Sequence, residues 1–275
     1  MSRSSEARHG SAGAQPSVGG LGAFSGPPAK RLSLTVLGVI PARLASTRLP
    51  RKVLRDVGGR PLIAWVYEAA RRSPLLGDVL VATDAAEVAD VCRTHGIPAV
   101  LTSPHHPSGT DRVWEVAQGR AADVYVNVQG DEPLVTRGHI EALVQPFRSH
   151  PDTQVSTLKI LATDAEKPNP AVNKVVVDAD HRALYFSKYP IPYDRDGSGA
   201  PVYKHIGLYA YRRAALEAFH RLPPSFLERT ERLEQLRFLE NGIAITVMET
   251  TEPTIGVDTE DDLRAAAARL GAHVA

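Results

Sequence analysis

Residues 34–52 read LTVLGVIPARLASTRLPRK, and the fold turns on how that stretch divides. LTVLGVI is a continuous apolar run that breaks at Pro41, the pattern of a strand buried on both faces. Four cations follow, Arg43, Arg48, Arg51 and Lys52, with the small hydroxyl residues Ser46 and Thr47 between them. A strand covered on both faces needs helices, and PLIAWVYEAARRS supplies one, with Leu62, Trp65, Val66, Ala69 and Ala70 at helical spacing. DVLVAT then reads as a second strand, and AAEVADVCRTHG as a helix whose Gly96 stands where a C-terminal cap belongs. PAVLT is a third strand, TDRVWEVAQG a helix with Thr110 as its N-cap, and DVYVNV a fourth strand. QGDEP and the helix RGHIEALVQPFRSH come next. Strands alternating with helices predict an α/β fold, a mostly parallel sheet with helices on both faces.

The pattern changes near residue 152. QVSTLKILA, VNKVVVD and RALYFS are strand-like with only turns between them, and VVVDADHRALYF reads as a hairpin around Asp180. KHIGLYAY is a further strand. RRAALEAFHRL and FLERTERLEQLRFLENG read as helices, the second carrying Glu234 and Gln235 in its interior. ITVMET closes with a strand and TEDDLRAAAARL with a helix. The expectation is one α/β catalytic domain over 34–275, interrupted by an antiparallel insertion at about 155–205. Residues 1–33 are rich in Ser, Gly, Ala and Pro and read as a disordered tail, with an organelle transit peptide as the alternative.

The net charge is +1, so no global field steers the chain towards nucleic acid or an anionic membrane. Anion recognition must be local. Cys92 is the single cysteine, which excludes an internal disulfide and a multi-cysteine zinc site and favours a cytoplasmic location. No apolar run reaches the ~18 residues of a transmembrane helix.

In open parallel sheets ligands bind beyond the carboxyl ends of the strands. The loops to watch are therefore 41–53, ThrAsp at 83–84, SGTDR at 108–112, QGDEP at 129–133 and GVDTEDD at 256–262. The first suits a polyphosphate, because arginine offers a fork and lysine a mobile point charge to phosphate oxygens. It matches neither the P-loop nor the dinucleotide fingerprint. Asp131 and Asp258, each on a short turn after an apolar strand, are candidate Mg²⁺ ligands, a turn residue and a helix N-cap being the alternatives. His205, Glu234 and Gln235 carry no signal by pattern alone. His105 and His106 lack metal-ligand spacing and read as loop residues. Cys92 falls inside a helix, so no covalent nucleophile presents itself.

PARLASTRLPRKVL, ATD, SGTDR, NVQGDEP, YFSK, KHIGLYAYR, LEQLRFLENG and GVDTEDDL occur in the order found in the 3-deoxy-manno-octulosonate (Kdo) cytidylyltransferases. The resemblance spans about residues 36–270. It implies the nucleotide-diphospho-sugar transferase fold, usually a homodimer, and an Mg²⁺-dependent enzyme joining CTP and Kdo for lipopolysaccharide biosynthesis. By resemblance Arg43, Arg48 and Lys52 form a triphosphate clamp lined by Ser46 and Thr47, and Asp131 and Asp258 hold Mg²⁺. Gln129 lies near nucleotide and sugar. Arg112, counted with the nucleotide site, also falls with Lys188, His205, Glu234 and Gln235 where the family handles the acidic sugar. Two positions depart from the family: Arg51 replaces a usual Gly, and Lys188 a usual Arg. Since arginine and lysine grip a carboxylate differently, a related acid remains open as substrate, an amino analogue of Kdo or sialic acid, as does a catalytically silent homologue.

Overall fold

In the computed structural model, which describes residues 34–274, LTVLGVI becomes β1 (Val36–Ala42) and runs through Pro41 instead of stopping there. The tail expected at 1–33 lies outside the described residues. The Val39 carbonyl accepts from the Val128 N–H, so Pro41, two residues on, faces the same neighbour. That neighbour's ladder with β1 has already ended at Val39, so the missing proline N–H removes no ladder bond.

A small hairpin of β2 (Asp56–Val57) and β3 (Arg60–Pro61) leads into α1 (Leu62–Arg71), β4 (Asp78–Thr83), α2 (Ala86–Thr94) and β5 (Ala99–Leu101). The chain continues through α3 (Gly109–Gly119), β6 (Val124–Asn127), α4 (Arg137–Ser149) and β7 (Val155–Leu161). Next come the hairpin of β8 (Lys174–Val177) and β9 (Ala183–Ser187), then β10 (Tyr203–Tyr211) and α5 (Arg213–Arg221). α6 (Phe226–Glu231), α7 (Leu236–Glu240), β11 (Ile245–Glu249) and α8 (Glu260–Leu270) complete it. The main sheet runs β11-β7-β10-β6-β1-β4-β5, with β8 and β9 attached beside β10. β10 pairs antiparallel with both β6 and β7, while the other ladders along that path are parallel. The antiparallel pairings expected over about 155–205 thus belong to the same sheet.

Each sheet face has its own core. Val66 and Ala70 of α1, Val88 and Cys92 of α2, and Leu143 and Phe147 of α4 cover one side. Val113 and Ala117 of α3, Leu216 and Phe219 of α5, and Leu236 and Phe238 of α7 cover the other. A third cluster joins Leu49 of the basic loop to Val57, Leu62, Val257 and the α8 residues Leu263, Ala266 and Ala267. It packs the loop after β1 and the turn before α8 on one apolar anchor.

Two further expectations are corrected. Ser108, not Thr110, caps α3, its Oγ accepting from the Asp111 N–H. The helix read over 226–242 is two short helices, so Glu234 and Gln235 lie at a break and not in a helix interior. Arg232 adopts the left-handed conformation (φ 55°, ψ 47°), and the N–H groups of Arg232 and Leu233 both end on the Glu228 carbonyl. The break lets Arg237 turn back on Glu228 as a fork, Nε to Oε2 at 2.7 Å and Nη2 to Oε1 at 2.5 Å. Arg237 also donates to the Phe219 carbonyl at 3.2 Å.

Both partners of this fork are buried, so losing one strands a charge without a counter-charge. Glu228→Ala, which also removes the capping box of α6, should destabilise the fold by about 3–5 kcal/mol. The check is a urea melt, with a lower midpoint at unchanged slope.

Candidate active site

The carboxyl ends of β1, β4, β6 and β11 meet at one sheet edge, and β10, being reversed, begins there. A cavity of about 310 Å³ opens at that edge. The basic loop forms one wall: Arg43, Ser46, Thr47, Arg48 and Lys52 line it. Leu49 and Val53, both buried, fasten the loop beneath. At the cavity floor Lys52 Nζ lies 2.5 Å from Asp131 Oδ2 and 2.9 Å from Asp258 Oδ1. Burial works to lower the Lys52 pKa, but the two carboxylates more than offset it and hold the ammonium above the usual lysine value. Arg48 reaches the other oxygen of Asp258 at 2.9 Å.

Backbone geometry sets the two acids. Gly130 lets the turn before Asp131 pass under β1, since a Cβ there would stand 2.8 Å from the Pro41 carbonyl. The Val257 N–H donates to the Asp131 carbonyl at 2.9 Å, tying both acid-bearing turns together. Thr259, not Asp258, caps α8, so the Asp258 side chain is left to the cavity. Glu132 was not anticipated. It is buried behind Asp131, accepts from the Thr254 hydroxyl, and has its pKa pushed up to about 7 by burial, with the Asp131 charge adding to the rise. Its place in the acidic pair of DEP was the available signal.

Of the loop cations, Arg51 is turned away. It takes a left-handed backbone (φ 57°) and pairs with Glu87 of α2, outside the cavity lining. Arg112 does line the first cavity, buried, with Nη2 3.0 Å from Asp84 Oδ2. The same guanidinium donates to the Thr102 hydroxyl. ThrAsp at 83–84 thus contributes the partner of Arg112.

A second cavity of about 280 Å³ adjoins the first, with Gly109, Gln129 and Glu234 lining both. Gln129 Nε2 donates to the Gly207 carbonyl at 3.2 Å, where the register of β10 against β7 slips between Ile206 and Tyr209. His205 and Gln235 also line this cavity. His205 Nε2 lies 2.9 Å from Thr157 Oγ1, whose hydrogen is directed to the Leu208 carbonyl at 2.8 Å. That assigns Nε2 as the donor and leaves Nδ1 as an acceptor. Burial pushes the His205 pKa down to about 3, so the ring is neutral. Glu234 opens onto the cavity but is ringed by protein, and that enclosure, with Asp111 nearby, raises its pKa to about 7. Gln235 Nε2 is a buried donor with no protein partner among the described residues.

Lys188 lines neither cavity. Its N–H donates to Glu231 at 3.0 Å and its carbonyl accepts from Lys174 Nζ at 3.1 Å, which fixes the backbone at the end of β9. Arg232, absent from the expected residues, lines the second cavity instead.

Cations and an acid pair in one cavity suit a polyphosphate with a metal. The adjoining cavity, with its neutral imidazole and amides, suits a polyhydroxylated partner. Comparison with known proteins bears on both. Residues 37–247 match the cytidylyltransferase family model. The chain is 60% identical to a 3-deoxy-manno-octulosonate cytidylyltransferase of Acidobacterium capsulatum, over 85% of this chain and 95% of that one. It is 55% identical to the same-named protein of Koribacter versatilis, over 86% of this chain and 92% of that one. A solved CMP:2-keto-3-deoxy-manno-octonic acid synthetase complexed with CTP matches with a TM-score of 0.83 at 42% identity, covering 86% of this chain and 98% of that one. This chain belongs to the 3-deoxy-manno-octulosonate cytidylyltransferase family.

Proposed function

We propose that this enzyme transfers the cytidylyl group of CTP to Kdo, giving CMP-Kdo, an activated sugar for lipopolysaccharide biosynthesis, and pyrophosphate. The observation that carries the reading is the pair of cavities sharing Gln129 and Glu234, one lined by cations and an acid pair, the other chiefly by neutral polar and aromatic side chains together with Arg232. The triphosphate belongs in the first and the sugar in the second, so their reacting ends meet at the shared wall. There the anomeric hydroxyl oxygen bonds to the α-phosphorus as the bond to the bridging oxygen of pyrophosphate breaks. Pyrophosphate leaves with the electron pair, and the hydroxyl proton passes to solvent.

No covalent intermediate on the protein is needed, so the chain contributes position and charge. Arg43, Arg48 and Lys52 neutralise phosphate oxygens, and Lys52 carries its charge on a flexible stem at the floor of the cavity. Gln129, Gln235 with an Nε2 that has no partner among the described residues, and the Nδ1 acceptor of His205 offer hydrogen bonds to sugar hydroxyls. We further propose that Asp131 and Asp258 hold Mg²⁺. They converge on one point that already attracts an ammonium, and Mg²⁺ typically takes one or two protein carboxylates with phosphate oxygens and water. Mg²⁺ bound there would act as a Lewis acid on phosphate oxygens and lower the pKa of the attacking hydroxyl.

Self-association and a cytoplasmic location complete the proposal. The exposed Leu161, Leu184, Tyr189 and Tyr193 lie on or beside β7 and β9 and support a homodimer through that region. The one free thiol, Cys92, is buried and accords with a reducing compartment. Light scattering should give the mass of two chains, and a monomer at micromolar concentration would count against the dimer.

The reaction is tested by pyrophosphate release with Mg²⁺, offering CTP, UTP or ATP against Kdo, its 8-amino analogue and sialic acid. CTP with Kdo should be the best pair, and silence with every pair would refute the assignment. Asp131→Asn should lower kcat at least about 100-fold at an unchanged circular dichroism spectrum. Lys52→Ala should raise KM for CTP about tenfold or more while leaving KM for Kdo near its original value. Near-normal turnover of Asp131→Asn would remove the metal role.

A further inference from the structure

We propose that Arg232 grips the carboxylate of the sugar acid in this enzyme, a task its Lys188 does not perform. The inference deepens the reading above and rests on it: the substrate is a 2-keto sugar acid bound in the second cavity.

Charge bookkeeping there leaves one candidate. Among the described residues that line the second cavity, the formally charged side chains are Arg232 and Glu234, apart from the imidazole of His205. That imidazole is neutral, as its burial dictates. An anionic substrate brought beside Glu234 needs a counter-charge, and Arg232 is the cation at hand. Its guanidinium forms no salt bridge among the described residues, unlike Arg112, which is already held by Asp84, and Arg237, which is held by Glu228. Nothing has to be broken to use it.

Local structure aims it. Glu231, the last residue of α6, accepts from Ser187 Oγ at 2.8 Å and from the Lys188 N–H at 3.0 Å, pinning the helix end against β9. Arg232 follows in the left-handed conformation, and the chain turns there into Leu233, Glu234 and Gln235. The turn sets Arg232 on the cavity wall with Gln235, whose Nε2 is a donor without a partner among the described residues. A guanidinium fork and an amide N–H are three donors on one wall, suited to two carboxylate oxygens and a neighbouring hydroxyl. Lys188 sits across the same pin, outside the cavity, with its backbone held from both sides.

Kinetics of the full-length enzyme test this. Arg232→Asn is the informative variant, because asparagine tolerates the left-handed backbone and carries no charge. It should raise KM for Kdo about 10- to 100-fold, the loss of a charge-assisted pair, and leave KM for CTP within about twofold. Arg232→Lys should fall between, and Lys188→Ala should stay near the original enzyme. The carboxamide analogue of Kdo separates a charge effect from a structural one. Arg232→Asn and the original enzyme should use it equally poorly. An original enzyme that turns over CTP and Kdo, with Arg232→Asn at its normal KM for Kdo, overturns the proposal alone. So does a larger rise in Lys188→Ala, or a loss on the carboxamide equal to that on the acid. An original enzyme that releases no pyrophosphate from CTP and Kdo overturns the underlying reading and this proposal together.

Discussion

One ammonium between two carboxylates organises this site. Lys52 comes from the first loop, Asp131 from the middle of the chain and Asp258 from its end, and Nζ meets both acids within 2.9 Å. Two carboxylates aimed at one point repel each other unless a cation lies between them. Lys52 supplies that cation from within, so the two acids are held together before any ligand arrives. Arg48 adds a second positive contact to Asp258. The rest of the architecture can be read as what brings three distant loops to this point. Parallel strands deliver their carboxyl ends to one edge, Gly130 lets a turn pass under β1, and the Val257 N–H joins the acid turns.

The reversed strand has a different task. Because β10 runs against its neighbours, its beginning lies where theirs end, and His205 joins Gln129 in lining the second cavity. The register slip near Gly207 then offers a carbonyl to the Gln129 side chain. A wholly parallel sheet would leave this edge to loops alone. Here one wall of the second cavity is built on a strand, which holds side chains in place more firmly than a loop does.

Much of this was legible in the sequence, and the reasons differ by residue. Buried strands and amphipathic helices declare themselves by period, so DVLVAT coincides with β4 at both ends. Lys52, Asp131 and Asp258 were legible because each sits on a polar turn just beyond an apolar strand. Glu234 and Gln235 were found through family resemblance, but their setting was misread. The helix break falls on Arg232, and an arginine in the left-handed region gives no warning that a glycine would give. Lys188, expected with the sugar residues, lines neither cavity, for a related reason. Its motif fixes the strand, while the direction of its side chain depends on Glu231 and Lys174, which are remote in sequence. The cap of α3 was missed by two residues, since Ser108 and Thr110 are equally competent and only the course of the backbone chooses.

The third apolar cluster has a consequence for the order in which the molecule takes shape. Leu49, in the loop after the first strand, is packed by Val257 and by residues 263–267 of the last helix. A nascent chain can pair β1 with β4 and β6 well before those residues emerge. Until they do, the phosphate-facing loop has only Val57 and Leu62 from that cluster to pack on. The central strands can therefore form early, while the site waits for α8, and the loop after β1 is fastened by a helix more than 200 residues later.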